Sequence, residues 1–183
     1  LAYSSISHVG FMLIGFSVIS IDSVASIMFY LFFYLFMNLG AFYMAIYMSK
    51  SYNANDIDSW NGIAKKAPVL SFFMVLSLAS LAGLPPTSGF VGKVYVLRNL
   101  FYDQQFMWLG VVAIINTVIS LYYYFKIVKA MYFMENDDLE VKVCCPYLYW
   151  IIIIFSAQNV VFYLYWEPLW AMLESIIRNS GII

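Results

Sequence analysis

Ser80-Leu-Ala-Gly-Leu-Pro-Pro-Thr-Ser-Gly-Phe-Val-Gly-Lys93-Val-Tyr-Val-Leu97 decides how this chain is built. Apolar sequence surrounds it, from Pro68 to Leu100. That is longer than one straight crossing requires, since about 20 residues at about 1.5 Å each cover a bilayer core. The stretch Gly83 to Gly89 resolves the excess. Pro85 and Pro86 offer no N–H and their rings clash with a preceding turn. One half-helix is therefore predicted to end near Leu84 and a second to begin near Thr87 or Ser88, either of which can act as an N-cap. The carbonyls freed at such a break must find protein, hydroxyl or water partners. Lys93 follows inside the second half-helix, where an ammonium at membrane depth costs about 3 kcal/mol on insertion scales. A broken helix beside an ionisable group is a construction used for ion sites, so movement of protons or ions is the first reading. A lysine snorkelling from a tilted half-helix is the second, and position alone leaves both open.

Composition sets the class. Of 183 residues, 64% are hydrophobic, 20% aromatic and 10% charged, against about 45–50% apolar and about 25% charged in soluble domains. The chain is an integral membrane protein, expected to form a single all-α membrane domain over residues 1–183. A net charge of −1 argues against nucleic-acid binding. Cys144 and Cys145 are neighbours, a poor geometry for a disulfide. With His8 they fall short of the four thiolates an iron–sulfur cluster normally takes, so no cofactor or metal is expected on this chain. It begins Leu1-Ala2-Tyr3-Ser4, without methionine or a basic cleavable leader, and reads as part of a larger membrane protein or a separately encoded piece of one. Its wealth of Phe, Tyr and Ile points to an AT-rich genome, such as an organellar one.

Five spans are predicted: Ser4 to Ile21, Ala25 to Ser49, the broken segment Pro68 to Leu100, Phe106 to Met134, and Tyr147 to Trp170. An odd number places the termini on opposite faces. Lys50, Lys65, Lys66, Lys126, Lys129 and Lys142 lie near the N-terminal face, whereas Arg98 and Arg178 lie near the other. The positive-inside rule then puts the N-terminus in the cytoplasm or matrix. The loop 50–67 reads as an interfacial connector anchored by Trp60 and Ile63, and 135–146 as an acidic surface turn.

Several polar side chains fall inside the spans. Ser4, Ser7 and His8 share one helix face. Histidine titrates near neutrality and could relay protons, or it could bond a neighbouring helix while the serines and Gly10 permit close approach. Asn38, the pair Asn116 and Thr117, Ser120, Tyr122 to Tyr124, Gln158 and Asn159 could hold water wires or act as packing contacts between helices. Lys126 and Lys129 read as anchors that snorkel to the headgroups, with proton entry the second reading.

Three stretches together resemble subunit 2 of respiratory complex I, called subunit N in bacteria. They are Leu1 to Gly10 (LAYSSISHVG), Leu78 to Lys93 with its Pro-Pro-Thr-Ser-Gly-Phe core, and Ser120 to Tyr132 with its three tyrosines. Lys93 followed by Val94 is similar to subunit 2 rather than to its sister antiporter-like subunits. The resemblance covers most of the chain and implies the last five helices of a fold built from inverted repeats. The family's first half-channel has no counterpart here, so a split gene, with a second chain supplying the N-terminal helices, is expected, and a truncated sequence is the alternative.

The resemblance further implies a mitochondrial inner-membrane subunit of an H+-translocating NADH:ubiquinone oxidoreductase, flanked by other membrane-arm subunits. Lys93 would be its protonatable centre and His8 would lie on the polar axis leading to it. Ser7, Asn38 and Tyr123 are weaker lining candidates. Gly83, Pro85, Pro86 and Thr87 would open the helix. NADH, FMN, iron–sulfur clusters and quinone would sit elsewhere in the complex. A cation/proton antiporter and a scaffold subunit that pumps nothing are the rival readings.

Overall fold

The computed structural model describes residues 1–18, 20–52, 56–102, 104–135 and 146–180. Among them the architecture is all-helical: α1 (Ala2–Gly15), α2 (Ile21–Tyr52), the short α3 (Ile63–Lys66), α4 (Pro68–Ala82), α5 (Ser88–Tyr102), α6 (Met107–Phe133), α7 (Pro146–Leu164) and α8 (Trp166–Ser180). Three of these, α2, α6 and α7, are long and apolar enough to cross a membrane, and α4 is a shorter apolar helix.

α2 is the central post. It packs against α1, α4, α5, α7 and α8, and its Phe29, Tyr30, Phe33, Met37, Met44 and Met48 are fully buried. α7 runs antiparallel to it: Phe155 meets Tyr43 and Phe36, and Phe162 then meets Phe36 and Phe32. Aromatic edges and faces at centroid separations of 5.1 to 5.9 Å hold this seam.

The predicted broken segment divides as expected, into α4 and α5. Gly83 ends α4 in the left-handed region at φ 80°, and its N–H and that of Leu84 both return to Ala79 O. α5 opens at Ser88; Thr87 turns its hydroxyl back onto Leu84 O at 2.6 Å. The predicted fifth span, Tyr147 to Trp170, also divides, at Tyr165. Pro168 has no N–H to give Leu164 O, so the helix breaks one turn before it. Beyond the break α8 continues along α2, with Trp170 edge-to-face against Phe29 and tilted against Tyr95.

The connector after α2 carries a 3₁₀ turn, Ile57–Trp60, before α3. Trp60 and Ile63 are buried as anchors, and Gly62, at φ 72°, donates its N–H to Ala130 O of α6. Beside it Lys65 Nζ bonds Glu135 Oε1 at 2.5 Å. That hydrogen bond, and then the lysine's charge, hold the Glu135 carboxyl below its ordinary value of 4.5. A depressed carboxylate stabilises the fold above its ordinary pKa and loses that contribution as pH falls through its folded value. Both groups are largely exposed, so the contribution is small and salt-sensitive. Glu135→Gln should therefore leave the thermal midpoint at pH 7 and physiological salt unchanged within error. A clear drop would show that the pair does more than join two surface residues. The rest of the acidic turn, 136–145, including Cys144 and Cys145, lies outside the described residues.

Candidate functional site

The two half-helices lie side by side at the break. Gly89 of α5 sits against Ser80 of α4, so close that a Cβ there would fall 1.9 Å from Ser80 O. Four residues on, Lys93 meets the last turn of α4. Its Nζ donates to Leu81 O and Ala82 O, each at 3.0 Å. These are end-of-helix carbonyls with no partner inside α4. The C-terminal end of a helix carries partial negative charge, which favours an ammonium. The side chain, 7% exposed, lies along Gly83, where a Cβ would come within 2.8 Å of Lys93 Cδ. Lys93 is thus folded inward onto the break rather than extended toward a surface. On its other side Nζ stands 5.9 Å from the centre of the Phe11 ring, within cation–π reach.

A second cluster adjoins this one. His8, 4% exposed, places Nδ1 2.6 Å from the Tyr30 hydroxyl and Nε2 3.2 Å from the Tyr124 hydroxyl. A neutral imidazole has one donor and one acceptor nitrogen, so one tyrosine donates and the other accepts. Reversing the tautomer reverses both bonds. Phe11, one turn beyond His8, packs on Tyr30 at 5.4 Å and faces Lys93. It joins the two clusters by contact, and no hydrogen bond links Lys93 to His8.

The other predicted residues divide. Ser4 is buried beside His8 and bonds Leu1 O. Ser7 turns to α6, where its hydroxyl accepts from Asn116 Nδ2 at 2.8 Å. Tyr123 packs edge-on against Tyr124 at 4.6 Å. Asn38 lies two turns past Tyr30 on α2, partly buried, without a hydrogen bond to Lys93 or His8. Pro85 and Pro86 are exposed, while Thr87 is buried. Lys126 and Lys129 are exposed on α6. The sequence reading missed Tyr30, whose hydroxyl is hidden in a run of aromatic residues.

Further along α5 a polar recess of about 170 Å³ opens between Asp22, Tyr95, Arg98, Asn99, Trp170, Glu174 and Arg178. Val96, on the same helix, packs near Ile27 and Gly15. Tyr30→Phe should leave the fold intact, because the ring keeps its packing and only the bond to His8 is lost. Where the cluster relays protons, turnover coupled to it is expected to fall on the order of 10²-fold, the scale of a lost proton-transfer group. Unchanged turnover would remove Tyr30 from the path.

Residues 1–120 match the family model described as NADH:quinone oxidoreductase/Mrp antiporter, transmembrane. A relative from Chloroherpeton thalassium, NADH-quinone oxidoreductase subunit N 2, is 37% identical over 100% of this chain and 36% of its own length. Subunit N from Coxiella burnetii is 43% identical over 78% of this chain and 29% of its own. The chain thus spans about a third of the length of the curated relatives it matches. Among solved structures, respiratory complex I from Thermus thermophilus with bound NADH superposes at TM-score 0.80 with 21% identity, over 96% of this chain and 38% of the matched one. The membrane-bound sulfane sulfur reductase, an archaeal respiratory membrane complex, does so at 0.86 with 19% identity, over 97% and 36%. At these identities the superpositions speak for the fold. With two thirds of its length matched by the family model, and with the fold of its respiratory relatives, this chain belongs to the NADH:quinone oxidoreductase/Mrp antiporter transmembrane family.

Proposed function

We propose that this chain is the C-terminal part of subunit 2, or subunit N, of a respiratory NADH:quinone oxidoreductase, and that it carries protons across the membrane as electrons pass elsewhere in the complex. The observation that carries this reading is the buried Lys93 ammonium held on two carbonyls freed by the helix break. The helix break supplies a site at membrane depth where a proton can be held, and the His8 cluster supplies a relay beside it. No electron carrier is expected on this chain; NADH, flavin, iron–sulfur clusters and quinone belong to other subunits.

In this reading the chain crosses the membrane five times, with α4 and α5 together making one crossing and α7 with α8 another. The lysines near the N-terminal face orient it toward the matrix, and the composition favours a mitochondrial inner membrane. Other antiporter-like subunits flank it, and the remaining two thirds of the relatives' length supplies the rest of its half-channels, on this protein or on a second chain.

The family also includes Mrp-type antiporters, so one purification separates the two classes. Isolation of the chain from its native membrane in mild detergent should bring down NADH:quinone oxidoreductase activity and redox subunits. Recovery free of them, with Na+/H+ exchange in vesicles, would favour the antiporter.

A further inference from the structure

We infer that Asn159 is a positioning residue for the Lys93 site, a clamp that sets the two half-helices in register. This rests on the proposed proton site, yet its own observations lie elsewhere, on α7. The Asn159 carboxamide oxygen accepts a hydrogen bond from Ser80 Oγ of α4 and another from Ser88 Oγ of α5, both at 3.2 Å. Its Nδ2 donates to Phe155 O and Ser156 O, which fixes which way the amide faces. Asn159, Ser80 and Ser88 are each fully buried.

Ser80 Oγ also accepts the N–H of Gly89 at 3.1 Å. That N–H is one of the unpaired donors at the start of α5. One oxygen on α7 therefore holds the last turn of one half-helix and the first turn of the other. A second tie, Ser77 Oγ to Ser156 Oγ at 2.8 Å, fixes the height of α7 against α4.

The consequence reaches Lys93 through the backbone. Leu81 and Ala82, whose carbonyls hold the ammonium, directly follow Ser80. Lys93 follows Gly89 by one turn of α5. A slide of α5 along α4 changes both Nζ–carbonyl distances together. Asn159 bonds both half-helices at once, so the clamp is a point at which α7 fixes the site. The plain alternative is that Asn159 is a packing contact whose loss lowers assembly and nothing more.

Asn159→Leu keeps the branched outline of the side chain, with two methyls in place of the amide, and removes the acceptor, whereas Asn159→Asp, protonated at this depth, keeps a carbonyl acceptor and a donor. Spin labels at Phe72 on α4 and Val94 on α5, both exposed, report the offset in the assembled complex. Asn159→Leu should broaden that distance distribution and lower coupled turnover by tenfold or more, since a misplacement of about 1 Å can cost on the order of 10²-fold. Asn159→Asp should restore both. Adding Ser88→Ala to Asn159→Leu should cost little further, because both remove one connection. If Asn159→Leu fails to assemble, Ser88→Ala cuts a single arm, leaves Gly89 its partner, and should move both readouts in the same direction. Wild-type distance and turnover in Asn159→Leu, or in Ser88→Ala where Asn159→Leu does not assemble, would overturn the clamp. If instead Lys93 variants pump normally while the distance still broadens, the proton reading fails and the clamp stands.

Discussion

Lys93→Met should cut NADH-driven proton uptake by the assembled complex on the order of 10²-fold, the scale of a lost proton-transfer group. Methionine matches the aliphatic stem of the lysine and can fill the same space along Gly83 and Phe11. It brings no proton and no donor. Leu81 O and Ala82 O then lose their partners in a buried setting, a cost of about 1–3 kcal/mol for each unsatisfied group unless water enters. The substitution thus strikes chemistry and local stability at once. The amount of assembled subunit, measured on native gels, separates the two: turnover is to be divided by it. Turnover at the wild-type level per assembled complex would leave Lys93 a helix cap and make the chain a scaffold.

Gly89→Ala should have the largest effect on assembly. The added methyl would fall 1.9 Å from Ser80 O and 2.8 Å from Ser80 C. Both are backbone atoms, which cannot turn aside as a flexible side chain can. Either α5 moves off α4 by more than an ångström or the turn reforms. Overpacking of a tight interior typically costs about 1–3 kcal/mol, and a backbone collision belongs at the upper end or beyond. The same movement breaks the Gly89 N–H bond to Ser80 Oγ. Little assembled complex should survive, and what does should pump poorly. Gly10→Ala is the internal control, since a Cβ there meets nothing within 4 Å. Comparable loss in both variants would mean that the close approach at Gly89 is not what limits the fold.

The break and its lysine were legible in the sequence because their signals are local. Prolines, glycines and a charge in an apolar run each disturb a spanning helix in a way that simple physics names. His8 was legible for the same reason. Tyr30 was not: in a chain with 16 tyrosines and 16 phenylalanines, one more aromatic residue in α2 carries no mark of its hydroxyl's partner. The clamp was equally hidden, since Ser80, Ser88 and Asn159 are ordinary packing residues until three helices bring them within 3.2 Å. The division of the last segment was missed because Trp166, Leu169 and Trp170 prolong its apolar character past Pro168. Ser7 was placed with His8 by spacing, yet i and i+1 diverge by about 100° around a helix, enough to send Ser7 to Asn116 instead.

The proposed function requires Lys93 to load and release a proton, beyond holding a charge at the break. Lys93→Arg tests it most directly. Arginine keeps a cation and donors for the two carbonyls, but its guanidinium does not deprotonate in proteins. The measurement is NADH-driven proton uptake per assembled complex in reconstituted vesicles, with assembly determined on the same sample. Near-normal assembly is expected, with proton uptake lowered about as far as in Lys93→Met. Wild-type proton uptake by the arginine variant would contradict a proton-carrying Lys93.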